Sequence, residues 1–449
     1  MNIDNTEIIS TALQALNITQ LNPMQESALH EAQTDQDLIL LSPTGSGKTL
    51  AFLLPLITRL TMTESSVQAL ILTPSRELAL QIESVFKAMK TPWKCVCCYG
   101  GHPIAEEKKS IIGNKPAIII GTPGRIGDHL YKGNFHPFAI STLIIDEFDK
   151  SLEFGFHDEM AEIIDQLPNL RKRILLSATD AEEIPEFTGL DNTTRLDFLD
   201  PEAESASKSR LTLTKVLSPS RDKVETLYKL LCSLGSDSSI VFCNHREAVD
   251  RVKAHLEDQA LYTERFHGGM EQPDRERALY KFRSGSCNIL VSTDLAARGL
   301  DIPEVEHIIH YHMPPQEDAF THRNGRTARW EATGTSYILL SEEEDERGTR
   351  YLDYSTVEEH PLPESPQRPP QPIWTTLYIG RGKKEKISKM DVAGFLYKKG
   401  QLAREDIGQI DMRDHYGFVA VRRSKVKQML RLIRDERLKG SRVLIEEAR

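Results

Sequence analysis

Residues 141–150, STLIIDEFDK, carry an apolar run that ends in three carboxylates within four positions: Asp146, Glu147 and Asp149, wrapped around Phe148. Acids packed this closely repel one another unless a cation or a proton lies between them. Upstream, residues 42–49, SPTGSGKT, set Gly45 and Gly47 ahead of Lys48 and Thr49 and lead into the helical run LAFLLPLITRL. Two glycines permit a tight backbone nest whose N–H groups point at phosphate oxygens, and the helix that follows adds its positive N-terminal end. The cradle comprises Thr44, Gly45, Ser46, Gly47, Lys48 and Thr49, with Lys48 reaching the β- and γ-phosphates and the Thr49 hydroxyl ligating Mg2+. Ser42 stands where the common phosphate loop has its first glycine. Beside such a cradle, Asp146 is the carboxylate that a nucleotide's Mg2+ needs, and Glu147 can orient or deprotonate an attacking water. Asp149 fits this site or the cap of a following helix.

These residues need elements to hold them. The runs DLILLS, QALILT, AIIIG, TLIID and RILLS predict buried strands in the first 200 residues, and SSIVFC, NILVST, VEHIIHY and TSYILL repeat the theme up to residue 340. Strands apolar along their whole length, separated by helix-sized segments, indicate parallel sheets covered on both faces. Two such sets predict two α/β lobes divided in the polar stretch at 200–210, and the proline-rich stretch 361–372, PLPESPQRPPQP, predicts an extended linker. In open α/β sheets ligands bind beyond the carboxyl ends of strands. The polar clusters of this sequence follow those ends: LLS runs into PTGSGKT, ILT into PSREL, IIIG into TPGR, LIID into EFD and ILL into SAT.

A length of 449 residues suggests about three domains. No apolar run reaches the roughly 20 residues that cross a bilayer, and the start MNIDNTEIIS lacks the basic and apolar regions of a secretory signal. The six cysteines show no paired CxxC spacing, and the cluster CVCC at 95–98 sits in a strand-like run, so buried thiols in a reducing cytoplasm are expected. The net charge of −10 hides an asymmetry. Residues 373–449 hold 19 Lys and Arg against 10 Asp and Glu, a net +9, whereas residues 1–372 hold 37 against 56, a net −19. The C-terminal piece therefore reads as a separate basic unit with an anionic partner or a solvated face.

In order, NPMQ (22–25), SPTGSGKT (42–49), PSREL (74–78), GG (100–101), TPGR (122–125), DEFD (146–149), SAT (177–179), IVFCN (240–244), HGGMEQPDR (267–275), STDLAARGLDI (292–302) and HRNGRTAR (322–329) resemble the motifs of the DEAD-box family of ATP-dependent RNA helicases. The resemblance implies an α/β fold of two tandem RecA-like parallel-sheet lobes, residues 1–205 and 206–360, with ATP and Mg2+ as cofactors. It makes Gln25 the adenine-selecting residue, since an amide both donates and accepts, as the N6–N7 edge of adenine requires. Asp301 becomes the ribose contact, Ser177 and Thr179 the coupling element, and Arg326 and Arg329 arginine fingers brought by the second lobe to the γ-phosphate. Arg76, Gly101, Thr122, Arg125, Gln272, Arg275 and Thr293 match positions that hold an RNA sugar–phosphate strand without reading bases; a solvated loop is the alternative for each. The sequence departs from the family at Phe148, which replaces an alanine and is expected to crowd the SAT loop. It departs again at Asn324 and Ala328, and in having no aromatic before Gln25.

In residues 373–449, LYIGRG (377–382) and YGFVAV (416–421) resemble the two central strands of an RNA-recognition fold, a small α+β domain. Tyr416 and Phe418 share a strand face, so with Tyr378 they can stack bases or fill a core. The segments LYIGRGKKE, REDIGQIDMRDHYGFV and LKGSRVLIE also resemble the C-terminal domain of the bacterial DbpA group. That resemblance implies ribosomal RNA or preribosomal particles as partner, and the expected protein is a cytoplasmic monomer, without membrane attachment, acting in ribosome assembly.

Overall fold

The computed structural model describes residues 5–31, 34–43, 45–62, 66–179, 184–199, 211–294, 305–327, 334–347 and 349–448. The chain forms two compact units, one holding the first parallel sheet and the other holding the second parallel sheet together with the C-terminal domain.

The first sheet comprises β1 (Leu38–Leu41), β2 (Ala69–Leu72), β3 (Cys95–Cys98), β4 (Ile118–Gly121), β5 (Thr142–Ile145), β6 (Lys172–Ser177) and β7 (Thr194–Asp197). They lie in the order β3-β4-β2-β5-β6-β1-β7, all parallel. Successive side chains of a strand point to opposite faces. Ile71, Leu38 and Leu40 accordingly enter one buried cluster with the helix Lys48–Arg59, and Leu70, Leu72, Leu143 and Ile145 enter another. Both faces are covered, which explains why these strands are apolar throughout.

The second sheet comprises β8 (Leu211–Ser218), β9 (Ser239–Phe242), β10 (Thr263–Phe266), β11 (Ile289–Ser292), β12 (His307–His310), β13 (Gly334–Ser341) and β14 (Glu358–Glu359), in the parallel order β10-β11-β9-β12-β13-β8-β14. Residues 361–372 contain no helix or strand. Beyond them, β15 (Trp374–Ile379), β16 (Ile407–Met412), β17 (Gly417–Arg422) and β18 (Ile445–Glu447) form an antiparallel sheet in the order β16-β17-β15-β18. One face of this sheet, with Leu377, Ile379, Val419 and Val421, is buried with residues of the helices Lys389–Lys398 and Arg423–Ile433. Among the described residues no helix is long and apolar enough to cross a membrane. The interlobe boundary expected at 200–210 lies outside the described residues.

Candidate functional site

Parallel register brings the polar strand ends of the first lobe together. Leu41 pairs with Ser177, Leu72 with Ile145 and Gly121, and Gly121 with Cys98. The ladder continues one residue beyond the strands: Ser42 N–H donates to the Ser177 carbonyl at 3.0 Å, and Asp146 N–H to that of Leu72 at 3.0 Å. Segments more than a hundred residues apart thus line one sheet edge.

In the phosphate loop, Gly45 and Gly47 hold φ of 87° and 91°, values that favour glycine. A Cβ at Gly47 would lie 2.7 Å from Gln25 Nε2, so a side chain there would have to push that amide aside. Gln25 is buried, its Nε2 donating to the Gly47 carbonyl at 3.3 Å and its Oε1 accepting from Asn22 N–H at 3.1 Å. The expected adenine reader is therefore built into the loop through its own amide. Ser42 and Ser46 join through their hydroxyls at 2.6 Å, which gives the non-glycine first position a structural task. Lys48 and Thr49 open the helix Lys48–Arg59, and Lys48 Nζ donates to the carbonyls of Ser42 at 2.5 Å and Pro43 at 3.1 Å. Burial lowers the Lys48 pKa, and the charges of Asp146, Glu147 and Asp149 oppose that shift. Thr44 lies outside the described residues.

Asp146 is 3% exposed. Burial first, then the neighbouring Glu147 charge, pushes its carboxyl up to about 7 against the opposing pull of Lys48. Glu147 N–H donates to Asp146 Oδ1 at 3.0 Å, and Glu147 itself adopts a left-handed backbone, φ 49° and ψ 54°. Such a conformation costs a non-glycine residue roughly 1–2 kcal/mol, and such strain collects at functional turns. Asp149 neither caps the helix Phe148–Glu153 nor stands alone: its Oδ2 accepts from the Thr179 hydroxyl at 3.0 Å. Ser177 Oγ donates to the Thr179 carbonyl at 2.5 Å and accepts from Thr179 N–H at 3.1 Å, which closes a compact SAT turn onto the acidic turn. Phe148 does not crowd that turn, contrary to expectation. Its ring is buried in the cluster that includes Ile126, Met160 and Ile163.

On the same edge, Ser75 accepts from Leu78 N–H at 3.2 Å and caps the helix Arg76–Ala88, placing Arg76 in its first turn. Gly101, at φ 101°, lies against the Arg76 guanidinium so closely that a Cβ would collide with it. Thr122 precedes the proline that opens the helix Pro123–Tyr131, and Arg125 follows on its first turn. The sequence did not single out the group that organises this cluster. Glu107, 3% exposed, accepts from Arg125 Nη1 at 3.0 Å and Tyr99 N–H at 2.8 Å, and faces His129 Nε2 at 2.7 Å and His102 Nε2 at 2.9 Å. Burial would raise its carboxyl; the bonds from His102, His129 and Tyr99 and the Arg125 charge outweigh it and hold the pKa at about 2. Arg125 Nη2 also donates to the His102 carbonyl at 3.1 Å. Arg76, Gly101 and Arg125 thus meet at one loop.

In the second unit, Gln272 and Arg275 occupy the first turn of the helix Gln272–Arg283, and the Arg275 guanidinium lies over the Phe266 ring at 4.9 Å. Thr293 follows β11, its N–H donating to the Phe266 carbonyl at 3.3 Å. Arg326 is buried, while Asp301, Ala328 and Arg329 lie outside the described residues. Arg323, quoted in the last motif but given no role there, forks onto Asp294 through Nε at 2.5 Å and Nη2 at 2.7 Å, and also reaches Asn244 Oδ1 at 2.8 Å and the His312 carbonyl at 2.6 Å. It joins three helicase-type motifs around one buried guanidinium. Asn324, the unexpected residue beside it, accepts from His310 Nε2 at 3.1 Å and Ser336 Oγ at 2.8 Å. Burial, then the Arg323 charge, pushes the His310 imidazole down to about 3, so it stays neutral and donates.

The three tail rings separate. Tyr378 and Tyr416 stay partly exposed, stacked at 5.9 Å, whereas Phe418 is 2% exposed and stacked on Tyr280 at 5.2 Å. In this arrangement the Phe418 ring is not open to a base, because a lobe-two side chain covers it. Of the two alternatives, base or core, Phe418 takes packing.

Comparison with known proteins gives three family matches. Residues 22–187 match the DEAD/DEAH box helicase family, 222–331 the helicase conserved C-terminal domain, and 376–447 the DbpA RNA binding domain. The chain is 30% identical over 476 residues to the ATP-dependent RNA helicase DbpA of Bacillus subtilis, covering 98% of this chain and 97% of that protein. It is 33% identical over 373 residues to the ATP-dependent rRNA helicase RRP3 of Scheffersomyces stipitis, covering 82% and 75%. Among solved structures, Mss116p bound to single-stranded RNA and AMP-PNP aligns with a TM-score of 0.67 at 26% identity, covering 81% of this chain and 78% of that one. With the site geometry above, these matches place the chain in the DEAD-box family of ATP-dependent RNA helicases, in the group that ends in a DbpA RNA binding domain.

Proposed function

We propose that this RNA-dependent ATPase remodels structured ribosomal RNA during ribosome assembly, working as a cytoplasmic monomer on preribosomal particles. The observation that carries the reading is the joining of a helicase pair to a DbpA RNA binding domain of net charge +9 in residues 373–449. A charge-rich appendage supplies sequence-independent affinity and raises the local concentration of the motor on its RNA. The rRNA assignment also draws on the relative RRP3, which is itself an rRNA helicase by name.

In the proposed cycle, Gln25 and the cradle of Gly45, Ser46, Gly47, Lys48 and Thr49, with Thr44, hold ATP. Asp146 and the Thr49 hydroxyl are the hard oxygen donors that Mg2+ takes. Their fit to the ion rests on charge: burial and the neighbouring Glu147 charge raise the Asp146 carboxyl to about 7 despite Lys48, a repulsion that a divalent cation would relieve. Bound Mg2+ supplies charge neutralisation at the phosphates. Glu147, on its left-handed turn beside Asp146, takes the proton of the attacking water. Arg326 and Arg329 of the second lobe stabilise the transferring phosphoryl, and Asp301 meets the ribose. Arg76, Gly101, Thr122, Arg125, Gln272, Arg275 and Thr293 grip the RNA backbone. Ser177 and Thr179, tied to Asp149, relay the state of the acidic turn.

The test is hydrolysis by the purified full chain with ribosomal RNA fragments, unstructured RNA and matched DNA at equal nucleotide concentration. Ribosomal RNA should stimulate at lower concentration than the others. Equal stimulation by all three removes the ribosomal assignment, and stimulation by DNA alone favours a DNA translocase. In the same assay Glu147→Gln should lose about 10²- to 10⁴-fold in turnover while still binding ATP and RNA; wild-type turnover excludes Glu147 as the base.

A further inference from the structure

The face of the C-terminal sheet opposite its helices is covered at Phe418 and Thr376, while Tyr378 and Tyr416 stay partly exposed. It meets the helix Gln272–Arg283, which also carries two of the RNA-gripping residues. Tyr280 stacks on Phe418 at 5.2 Å and its hydroxyl donates to the Gln409 carbonyl. Thr376 Oγ1, on the same face, donates to Ser286 Oγ at 2.8 Å, just past the end of that helix. At another point the Arg423 guanidinium lies over the Tyr262 ring at 4.4 Å. Aromatic stacking, buried hydroxyl bonds and a cation–π pair recur along one surface, as in a packed interface.

Glu276 links this surface to RNA. Its Oε2 accepts from the Tyr416 hydroxyl at 3.0 Å and pairs with Arg413 Nε at 3.0 Å, both from the tail. Its Oε1 accepts from Gln272 Nε2 at 3.2 Å, one helical turn earlier, and Gln272 Oε1 is buried with no partner among the described residues. A carboxylate bonded from one side by the Tyr416 hydroxyl and ion-paired there with Arg413 presents its other oxygen in a defined place, and that oxygen orients the Gln272 amide. We propose that the aromatic face of the tail is a docking surface for the Gln272–Arg283 helix rather than a base-stacking platform, and that the docked tail, through Tyr416, Arg413 and Glu276, positions Gln272 for the RNA backbone. This rests on the RNA role proposed above for Gln272.

Two measurements test it on the full chain. Ser286→Cys with Thr376→Cys puts two thiols where the hydroxyls now touch. Oxidation without RNA or nucleotide should yield a peptide bridge between positions 286 and 376 by mass spectrometry. The bridged chain should bind single-stranded RNA within about threefold of its reduced form. No bridge, or a larger loss of affinity on bridging, overturns the proposal, since then the face is not docked or must open to RNA. Tyr416→Phe keeps the ring and deletes only the hydroxyl bonded to Glu276. It should weaken RNA affinity about fivefold, and by less than about twofold in a Gln272→Ala background. Unchanged affinity, as base stacking alone requires, or an equal effect in both backgrounds overturns it. The bridge reads docking without any hydrolysis, so a failure of the ATPase reading and a failure of this one are distinguishable.

Discussion

Glu107→Gln is the sharpest probe of the first lobe's RNA side, because the substitution preserves shape and removes only charge. Four donors now converge on this carboxylate: Tyr99 N–H, Arg125 Nη1 and the Nε2 atoms of His129 and His102. A glutamine offers one acceptor oxygen and turns an NH2 against the remaining donors. A carboxyl held at about 2 instead of its ordinary 4.5 contributes about 3 kcal/mol of stability at neutral pH, and about 2 kcal/mol once screening at the 28% exposed His102 side is allowed for. The sign follows from a depressed acid: the stabilisation is complete above about pH 4.5 and is lost as pH falls towards about 2. At pH 7 the variant should therefore exchange the amides of residues 98–114 roughly 30-fold faster than the wild type. The gap should narrow as pH falls below 4.5. Arg125, released from its anchor, should also raise the RNA half-saturation concentration by about tenfold. Equal amide protection in the two proteins at pH 7, or a gap that persists at pH 2.5, would refute the account of Glu107 as a charged hub.

Asp294→Ala leaves the buried Arg323 guanidinium without its bidentate partner and should cost about 3–5 kcal/mol, read as a lower melting transition of the second unit; a shift below about 2 °C would show that Asn244 and the His312 carbonyl suffice. Gly47→Ala places a Cβ against Gln25 Nε2 at a backbone angle unfavourable to alanine. About 1–2 kcal/mol of strain should appear as roughly tenfold weaker ATP-analogue binding by calorimetry, whereas unchanged affinity would mean the loop can swing clear of Gln25. Phe148→Ala installs the family's usual residue but empties a core position, so it should cost about 3–5 kcal/mol while RNA still stimulates hydrolysis; lost stimulation at unchanged stability would place the ring in coupling instead.

Much of this molecule is legible in the sequence because its information is local. A buried parallel strand must be apolar on both faces, so QALILT or TLIID announces itself within six residues, and the glycines of GSGKT announce a nest. Among the strands that escaped, β7 with TRLD, β10 with TERF and β14 with two glutamates lie at sheet edges and carry no apolar run, whereas β8, inside its sheet, reads LTLTKVLS and interleaves polar with apolar residues. Long-range pairing escaped for a different reason. Tyr416 and Glu276 lie 140 residues apart, and nothing in YGFV says whether its rings will meet a base or a tyrosine of the preceding lobe.

The departures from family pattern show the same divide between local and distant information. Taken alone, Phe148 reads as an oversized residue in a catalytic turn, and Asn324 as a polar residue where an apolar one belongs. Each becomes ordinary once its partners are known. The ring faces the core while Asp149, next in sequence, keeps its bond to Thr179. The carboxamide oxygen of Asn324 takes two hydrogen bonds from a histidine that burial keeps neutral and from a serine on the next strand. A buried polar atom is costly only when unpaired, so a substitution that looks like damage in one motif is compensated by His310 and Ser336, 14 and 12 residues away. Changing Asn324 back to an apolar residue would then leave His310 Nε2 and Ser336 Oγ only each other, at 3.2 Å, in place of the carboxamide oxygen they share, and the substitution that restores the family pattern should destabilise this protein.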